Sequence, residues 1–228
     1  KILQKMRWWH KPPLEIEMSI ATLILGQSGT GKSTSLRNLN PNDVLLIQSI
    51  RKPLPFRSKE WKPLTSEGGS IYVSDNSEQI IKVMKKCTRP IIILDDMQYI
   101  MANEYMRRAQ ETGFSKFTEI GKKTWDIFNT ASQLEDSKRV YILSHTDEND
   151  QGKTKIKTIG KMLDEKITLE GMVTVCMQTD VINDQYVFMT RNNGNNTVKT
   201  PIDMFSDEHI PNDLNAVDQA ICNFYEIN

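Results

Sequence analysis

From Ser19 onward the chain alternates short apolar runs with amphipathic stretches. Aliphatic, β-branched runs fall at residues 19–25, 43–50, 70–74, 90–95, 139–144, 172–178 and 185–191. The earlier runs are nearly continuous rather than alternating, the pattern of strands buried on both faces, and so of a parallel sheet covered by helices. Between them the period changes to that of a helix. Glu78–Cys87 places Ile80, Ile81, Val83 and Met84 on one side, and Lys116–Leu134 carries Phe117, Ile120, Thr124, Ile127, Phe128, Ala131 and Leu134 at three- and four-residue steps. A short helical stretch is expected over Thr34–Asn38 and a final helix over Leu214–Tyr225. Alternating strands and helices predict an α/β fold with a mainly parallel sheet flanked by helices. The last two strands have only Asp180–Asp184 between them, which predicts an antiparallel hairpin at the sheet edge.

The 228 residues suit one sizeable domain. Residues 1–17 read as an arm outside it. Lys1, Lys5, Arg7 and Lys11 mix there with Trp8, Trp9 and the helix-breaking Pro12-Pro13. Such an arm is either disordered or lays its tryptophans on a neighbouring subunit, and the domain proper spans 18–228. The 29 basic and 29 acidic side chains cancel. That argues against a protein coated along its whole surface by nucleic acid, but it leaves room for a local basic patch. Cys87, Cys176 and Cys222 show no CxxC spacing and suggest neither disulfides nor zinc, so a cytoplasmic setting is expected. No apolar run approaches the roughly 20 residues of a membrane span, and no membrane association is expected.

Gly26-Gln27-Ser28-Gly29-Thr30-Gly31-Lys32-Ser33 fits G-x-x-x-x-G-K-[ST] without a mismatch, with a strand before it and Thr34 opening a helical stretch after it. The glycines let successive N–H groups turn inward onto phosphate oxygens. A helix starting near Lys32 would point its positive end at the same anion. Lys32 is placed to reach the β- and γ-phosphates, and the Ser33 hydroxyl to ligate magnesium. Ile91-Ile92-Ile93-Leu94-Asp95-Asp96 is the expected companion: a buried strand with carboxylates at its carboxyl end. Asp95 is expected to serve the magnesium ion and Asp96 to act as general base, with Glu67, Asp75 and Glu119 as other sources of a base. Val140–Leu143 leads into Ser144 and His145, either of which is positioned to sense the γ-phosphate.

Gln98 and Tyr99 stand where a D-x-x-G switch would need glycine, and no N-K-x-D sequence follows, which points to ATP with Mg²⁺ rather than a guanine nucleotide. From Met18 onward the chain resembles the phage-encoded RecA-like ATPases described as AAA-domain or phage nucleotide-binding proteins, relatives of the helpers of single-strand annealing systems. The resemblance lies in residues 26–39, Lys52-Pro53-Leu54-Pro55-Phe56, Leu94-Asp95-Asp96 and Ser144-His145-Thr146. It continues in Lys161-Met162-Leu163-Asp164, Arg191-Asn192-Asn193-Gly194 and Met204-Phe205. It implies a P-loop NTPase of RecA-like type that assembles as a homo-oligomeric ring or filament and serves phage DNA recombination or replication beside an annealing or single-strand-binding protein. A loader acting on protein partners, a nucleotide-dependent scaffold and a small-molecule kinase are the competing classes.

A RecA-like ATPase needs a DNA-facing loop after its sensor strand. Residues 147–161 are polar and carry Lys153, Lys155, Lys157 and Lys161, suited to single-stranded DNA phosphates without base reading. A second basic run, Arg51, Lys52, Arg57, Lys59 and Lys62 with Phe56 and Trp61, is an alternative strand or partner surface. Arg191 and Lys199, and less strongly Arg107 and Arg108, are candidates for a cation presented to a neighbouring subunit's site.

Overall fold

A computed structural model describes residues 18–227; the expected arm over 1–17 lies outside the described residues. Ten strands and four longer helices follow in chain order. The strands are β1 Ile20–Leu25, β2 Val44–Gln48, β3 Ile71–Val73, β4 Ile91–Asp95, β5 Arg139–Ser144, β6 Thr146–Glu148, β7 Thr154–Ile156, β8 Val175–Ile182, β9 Gln185–Met189 and β10 His209–Pro211. The helices are α1 Ser77–Lys86, α2 Met97–Arg107, α3 Ser115–Ala131 and α4 Leu214–Tyr225.

Eight strands form one sheet in the order β10-β9-β8-β1-β5-β4-β2-β3, while β6 and β7 form a separate two-stranded ribbon. The strands from β8 to β3 are parallel; β9 and β10 add an antiparallel edge. This is the expected architecture. β5 lies between β1, which leads into the glycine-rich loop, and β4, which ends in Asp95. The loop and the acidic strand end therefore meet at the carboxyl edge of the sheet, where open α/β folds bind their ligands.

The continuous apolar runs divide between two cores. Leu23, Leu25, Leu45, Ile47, Ile92, Leu94, Val140 and Ile142 point to the face covered by α1, α2 and α3, with Ile80, Ile120, Ile127 and Phe128. Ile24, Val44, Leu46, Ile93, Tyr141, Leu143 and Met177 point to the other face, closed by Leu36 and by Leu214, Val217 and Ile221 of α4. Burying both faces leaves the polar strand ends as the natural place for chemistry.

Four elements differ from the sequence expectation. The last parallel strand runs over Val175–Ile182, because Leu169–Met172 forms a helical turn, and the hairpin closes on two residues, Asn183 and Asp184, both with positive φ of 51° and 61°. Such paired left-handed residues match strand twist, and Asn and Asp tolerate them. Residues 147–161 are not wholly a loop, since Thr146–Glu148 pairs antiparallel with Thr154–Ile156. α2 is an additional helix that begins directly after the acidic strand. The short helical stretch expected over Thr34–Asn38 is present as Ser33–Asn38, but it is a 3₁₀ turn rather than an α-helix.

Candidate phosphate site

The backbone of the glycine-rich loop is shaped by positive φ at Gly29 (82°) and Gly31 (99°), a region in which side chains are strained. Gly26 is required for a different reason: a Cβ there would lie 1.9 Å from Oγ1 of Thr179. Thr179 comes from β8 and stands 2.6 Å from Thr30 Oγ1, and Thr30 donates to the carbonyl of Gln27 at 2.8 Å. The sheet thus sets the loop's shape from behind. The short Ser33–Asn38 turn supplies less aligned dipole than the helix expected there, so the cradle rests more on loop N–H groups and on Lys32.

Lys32 is 7% exposed, and its ammonium donates to the carbonyls of Gly26 at 2.7 Å and Gln27 at 2.9 Å. Burial lowers its pKa, opposed by the nearby charges of Asp96 and Asp95. The Ser33 hydroxyl lies 3.1 Å from both carboxylate oxygens of Asp95. Asp95 is fully buried, and burial pushes its pKa up while Lys52, 3.8 Å away, and Ser33 pull it down.

Asp96 has both oxygens engaged. Oδ1 accepts from the N–H of Gln98 and caps α2, and Oδ2 meets Nε2 of His145 at 2.8 Å. The His145 ring packs edge-on against Tyr99 at 6.0 Å between centroids. Ser49, just past β2, accepts from the Asp96 N–H at 3.0 Å and donates to the Asp96 carbonyl at 2.6 Å. Ser144 is fully buried, and its hydroxyl has no partner among the described residues; its carbonyl accepts from Gly26 N–H at 3.2 Å.

A cleft of about 400 Å³ opens here, lined by Ser28, Gly29 and Gly31 to Thr34 of the loop, by Lys52, Pro53 and Pro55, and by Asp96, Tyr99 and His145, with the buried Asp95 behind Ser33. Ser33 and Asp95 fit a magnesium ion: both present hard oxygen donors, side by side. Among the described residues no group of three His, Cys, Asp or Glu side chains would hold a metal alone, so an ion here would share its ligands with phosphate oxygens.

The other sequence candidates lie apart. Lys157 donates its backbone N–H to the His145 carbonyl at 2.8 Å and lines a recess beside the cleft with Gln27, Gln98 and His145. Lys153 and Lys155 sit on the β6–β7 ribbon, and Lys161, 89% exposed, pairs with Glu165 at 3.9 Å. Arg191 donates to the Ser206 carbonyl, and Lys199 pairs its backbone with Cys176; neither lines the cleft. Arg107 is bound to Asp75 and Glu104, and Arg108 to Glu111 and Glu119, which also occupies two of the alternative bases.

Thr179, Ser49 and Tyr99 escape sequence reading, since none belongs to a motif and each reaches the site through tertiary pairing. Lys52 is visible in the sequence only as part of a basic run and of a resemblance. The Asp96 cap of α2 has a local signal, an Asp followed by apolar Met97, Ile100 and Met101 at helical spacing.

Strand, glycine-rich loop, Lys-Ser pair and the acidic end of β4, one strand removed across β5, together define an α/β fold with a P-loop. No protein-family model matches the chain, and no curated protein matches it. Among solved structures it is similar to a KaiC-like protein of the hyperthermophilic archaeon Pyrococcus horikoshii OT3, with 11% identity over 83% of this chain and 89% of that one and a TM-score of 0.44. Among the described residues no helix is long and apolar enough to cross a membrane.

Proposed function

We propose that this chain binds ATP with magnesium and hydrolyses it, working as a homo-oligomer whose turnover single-stranded DNA stimulates, in phage recombination or replication. The observation that carries the ATPase reading is the convergence of Lys32, Ser33, Asp96 and His145 in one cleft, with the buried Asp95 bonded to Ser33 behind it. Lys32 would exchange its loop carbonyls for phosphate oxygens, a charge-assisted contact. Ser33 and Asp95 would hold the magnesium ion, which when bound neutralises charge on the phosphates. Asp96 would accept the proton of the attacking water at Oδ2, with His145 keeping that oxygen in place and Tyr99 walling the ring.

The DNA reading is supported by the ribbon. It begins one residue after His145, and Lys157 returns to hydrogen-bond that same residue. Load on the lysines of the ribbon therefore bears on the partner of Asp96. Phage origin, oligomerisation and the annealing partner rest on the sequence resemblance. Arg191 and Lys199 remain candidates for contacts between subunits. A second reading, a remodeller of protein partners, draws on Phe114 and Met106, 87% and 67% exposed around the α2–α3 connection.

Steady-state ATP hydrolysis, with and without single-stranded DNA at two salt concentrations, tests both. Stimulation that fades with salt is the expected result. Turnover indifferent to DNA would favour the remodeller, and absence of both nucleotide binding and turnover would overturn the ATPase reading.

A further inference from the structure

Lys52 lies in the phosphate cleft, yet no phosphate-binding motif places it there. It stands on the stretch that leaves β2, and that stretch is held at both ends. Ser49 exchanges two hydrogen bonds with the backbone of Asp96 and donates its own N–H to the Asp95 carbonyl at 3.0 Å. The buried Gln48 side chain donates to the Lys52 carbonyl at 3.1 Å. Beyond Lys52, Pro53 and Pro55 line the cleft and narrow the backbone's freedom. Leu54 and Trp61, each 8% exposed, then anchor the stretch in the core beneath α4, with Phe56 edge-on to Trp61 at 6.0 Å. This is a braced strap tied to the acidic strand end, and the position of Lys52 follows from it.

The Lys52 side chain is 40% exposed with its ammonium 3.8 Å from Asp95, and it lines the same cleft as Gly29, Gly31 and Lys32. Within that lining Lys32 and Lys52 are the two lysine cations. A lysine that served only to neutralise Asp95 would not need to open onto the loop. Its charge is near enough to Lys32 to help lower that group's pKa, after burial, which is the main cause.

Resting on the ATPase reading above, we propose that Lys52 is the second phosphate-contacting cation of this site, supplied by the chain's own strap to the terminal phosphate. Water attacks the γ-phosphorus as its proton passes to Asp96. The bond from that phosphorus to the bridging oxygen breaks, and the electron pair leaves with the β-phosphate of ADP. Lys52 offsets the charge on the equatorial oxygens during this transfer, the part a neighbouring subunit plays in many assemblies. The cleft then carries its own cation and does not borrow one.

The test compares unaltered protein, K52A and K52R, with ATP and ADP binding followed by calorimetry in magnesium and hydrolysis followed in single turnover. A contact to the terminal phosphate predicts that K52A keeps ADP affinity within about threefold and loses about tenfold of its preference for ATP over ADP. Turnover should fall by about 10²–10³ in K52A, with partial recovery in K52R. Mixing K52A with K32A should restore nothing, because each active cleft needs both lysines on one chain. Equal loss of ATP and ADP affinity, or unchanged binding and turnover, would reduce Lys52 to a partner of Asp95. Recovery of turnover on mixing would make it a cation given to another subunit. Both outcomes overturn the proposal while leaving the ATPase reading intact; unaltered protein that binds neither nucleotide overturns both.

Discussion

Strand β5 carries a buried charge cluster at each end, and the two are built on opposite plans. At its amino end Arg139 meets Asp218 of α4 through two bonds of 3.0 Å, and the Tyr141 hydroxyl adds a third to the same carboxylate at 2.6 Å. One cation faces one anion, and the tyrosine's pKa is pushed well up, first by burial and then by Asp218, so it stays a neutral donor. Past the carboxyl end, Asp96, Lys32, Lys52 and His145 line one opening with the buried Asp95 behind it, Lys32 is satisfied by loop carbonyls, and the Ser144 hydroxyl has no partner among the described residues. The first cluster is complete within the fold and fastens α4 to the sheet. The second is paired as well, but its groups border an open cleft and the Lys52 side chain is 40% exposed, so another molecule has room to exchange partners there.

The sharpest break between the two ends is Lys32→Ala. It should remove detectable triphosphate binding and turnover, since a charge-assisted contact to two phosphates disappears. Its effect on folding should be of the other sign. The folded pKa of Lys32 is lowered, chiefly by desolvation, so its charged form is disfavoured in the fold at every pH below that value. At neutral pH the variant should melt no lower than the unaltered protein. Calorimetric titration and a thermal melt check the two halves, and a lower melting temperature with intact binding would reverse the assignment of the two clusters.

Asp96→Asn comes next. The amide oxygen still caps α2 for the Gln98 N–H, so the fold and ATP binding should persist. Proton acceptance is lost, and turnover should fall by about 10²–10⁴. An unchanged kcat would move the base elsewhere; Asp75 and Glu119 would then have to leave Arg107 and Arg108.

At the other end, Asp218→Ala should leave Arg139 buried without its carboxylate. The expected cost is about 3 kcal/mol, the lower end for breaking a buried pair because the Arg139 side chain stays 10% exposed. Nucleotide affinity per folded molecule should not change. Denaturant unfolding beside nucleotide titration separates the two, and a loss of affinity without a loss of stability would join the clusters into one site.

The difference between the ends also explains what is legible in the sequence. Gly26–Ser33 and Ile91–Asp96 are contiguous, and phosphate binding by backbone N–H groups requires particular residue types at fixed spacing, so the cleft's floor can be read directly. The continuous apolar strands likewise reveal the two-sided sheet. The Arg139–Asp218–Tyr141 cluster joins residues up to 79 apart, and no spacing rule links them. Lys52 is similarly hidden, since its place depends on Ser49 bonding to Asp96 across two strands. α2 is masked because Asp95-Asp96 reads as a strand end, although Asp96 both follows β4 and caps the helix. The β6–β7 ribbon has three-residue strands of mostly polar side chains, too short and too polar for a periodic signal.

That ribbon provides the smallest and most discriminating contrast, for it extends only the carboxyl end of β5. Neutralising Lys153, Lys155 and Lys157 together, each to Gln, should weaken single-stranded DNA binding uniformly across sequences, because lysines on phosphates position without reading bases. The slope of log affinity against log salt should flatten by about 2, at roughly 0.7 for each single-strand phosphate that no longer meets a lysine. ATP hydrolysis without DNA should stay within about threefold, since the Lys157 backbone bond to the His145 carbonyl survives the substitution. Stimulation by DNA should disappear with the slope. If the slope flattens while stimulation persists, DNA contacts the ribbon but acts on the cleft by another route, and the basic stretch around Arg51, Arg57 and Lys59 becomes the surface to neutralise. If neither changes, the lysines are solvated, and the asymmetry of β5 ends at His145.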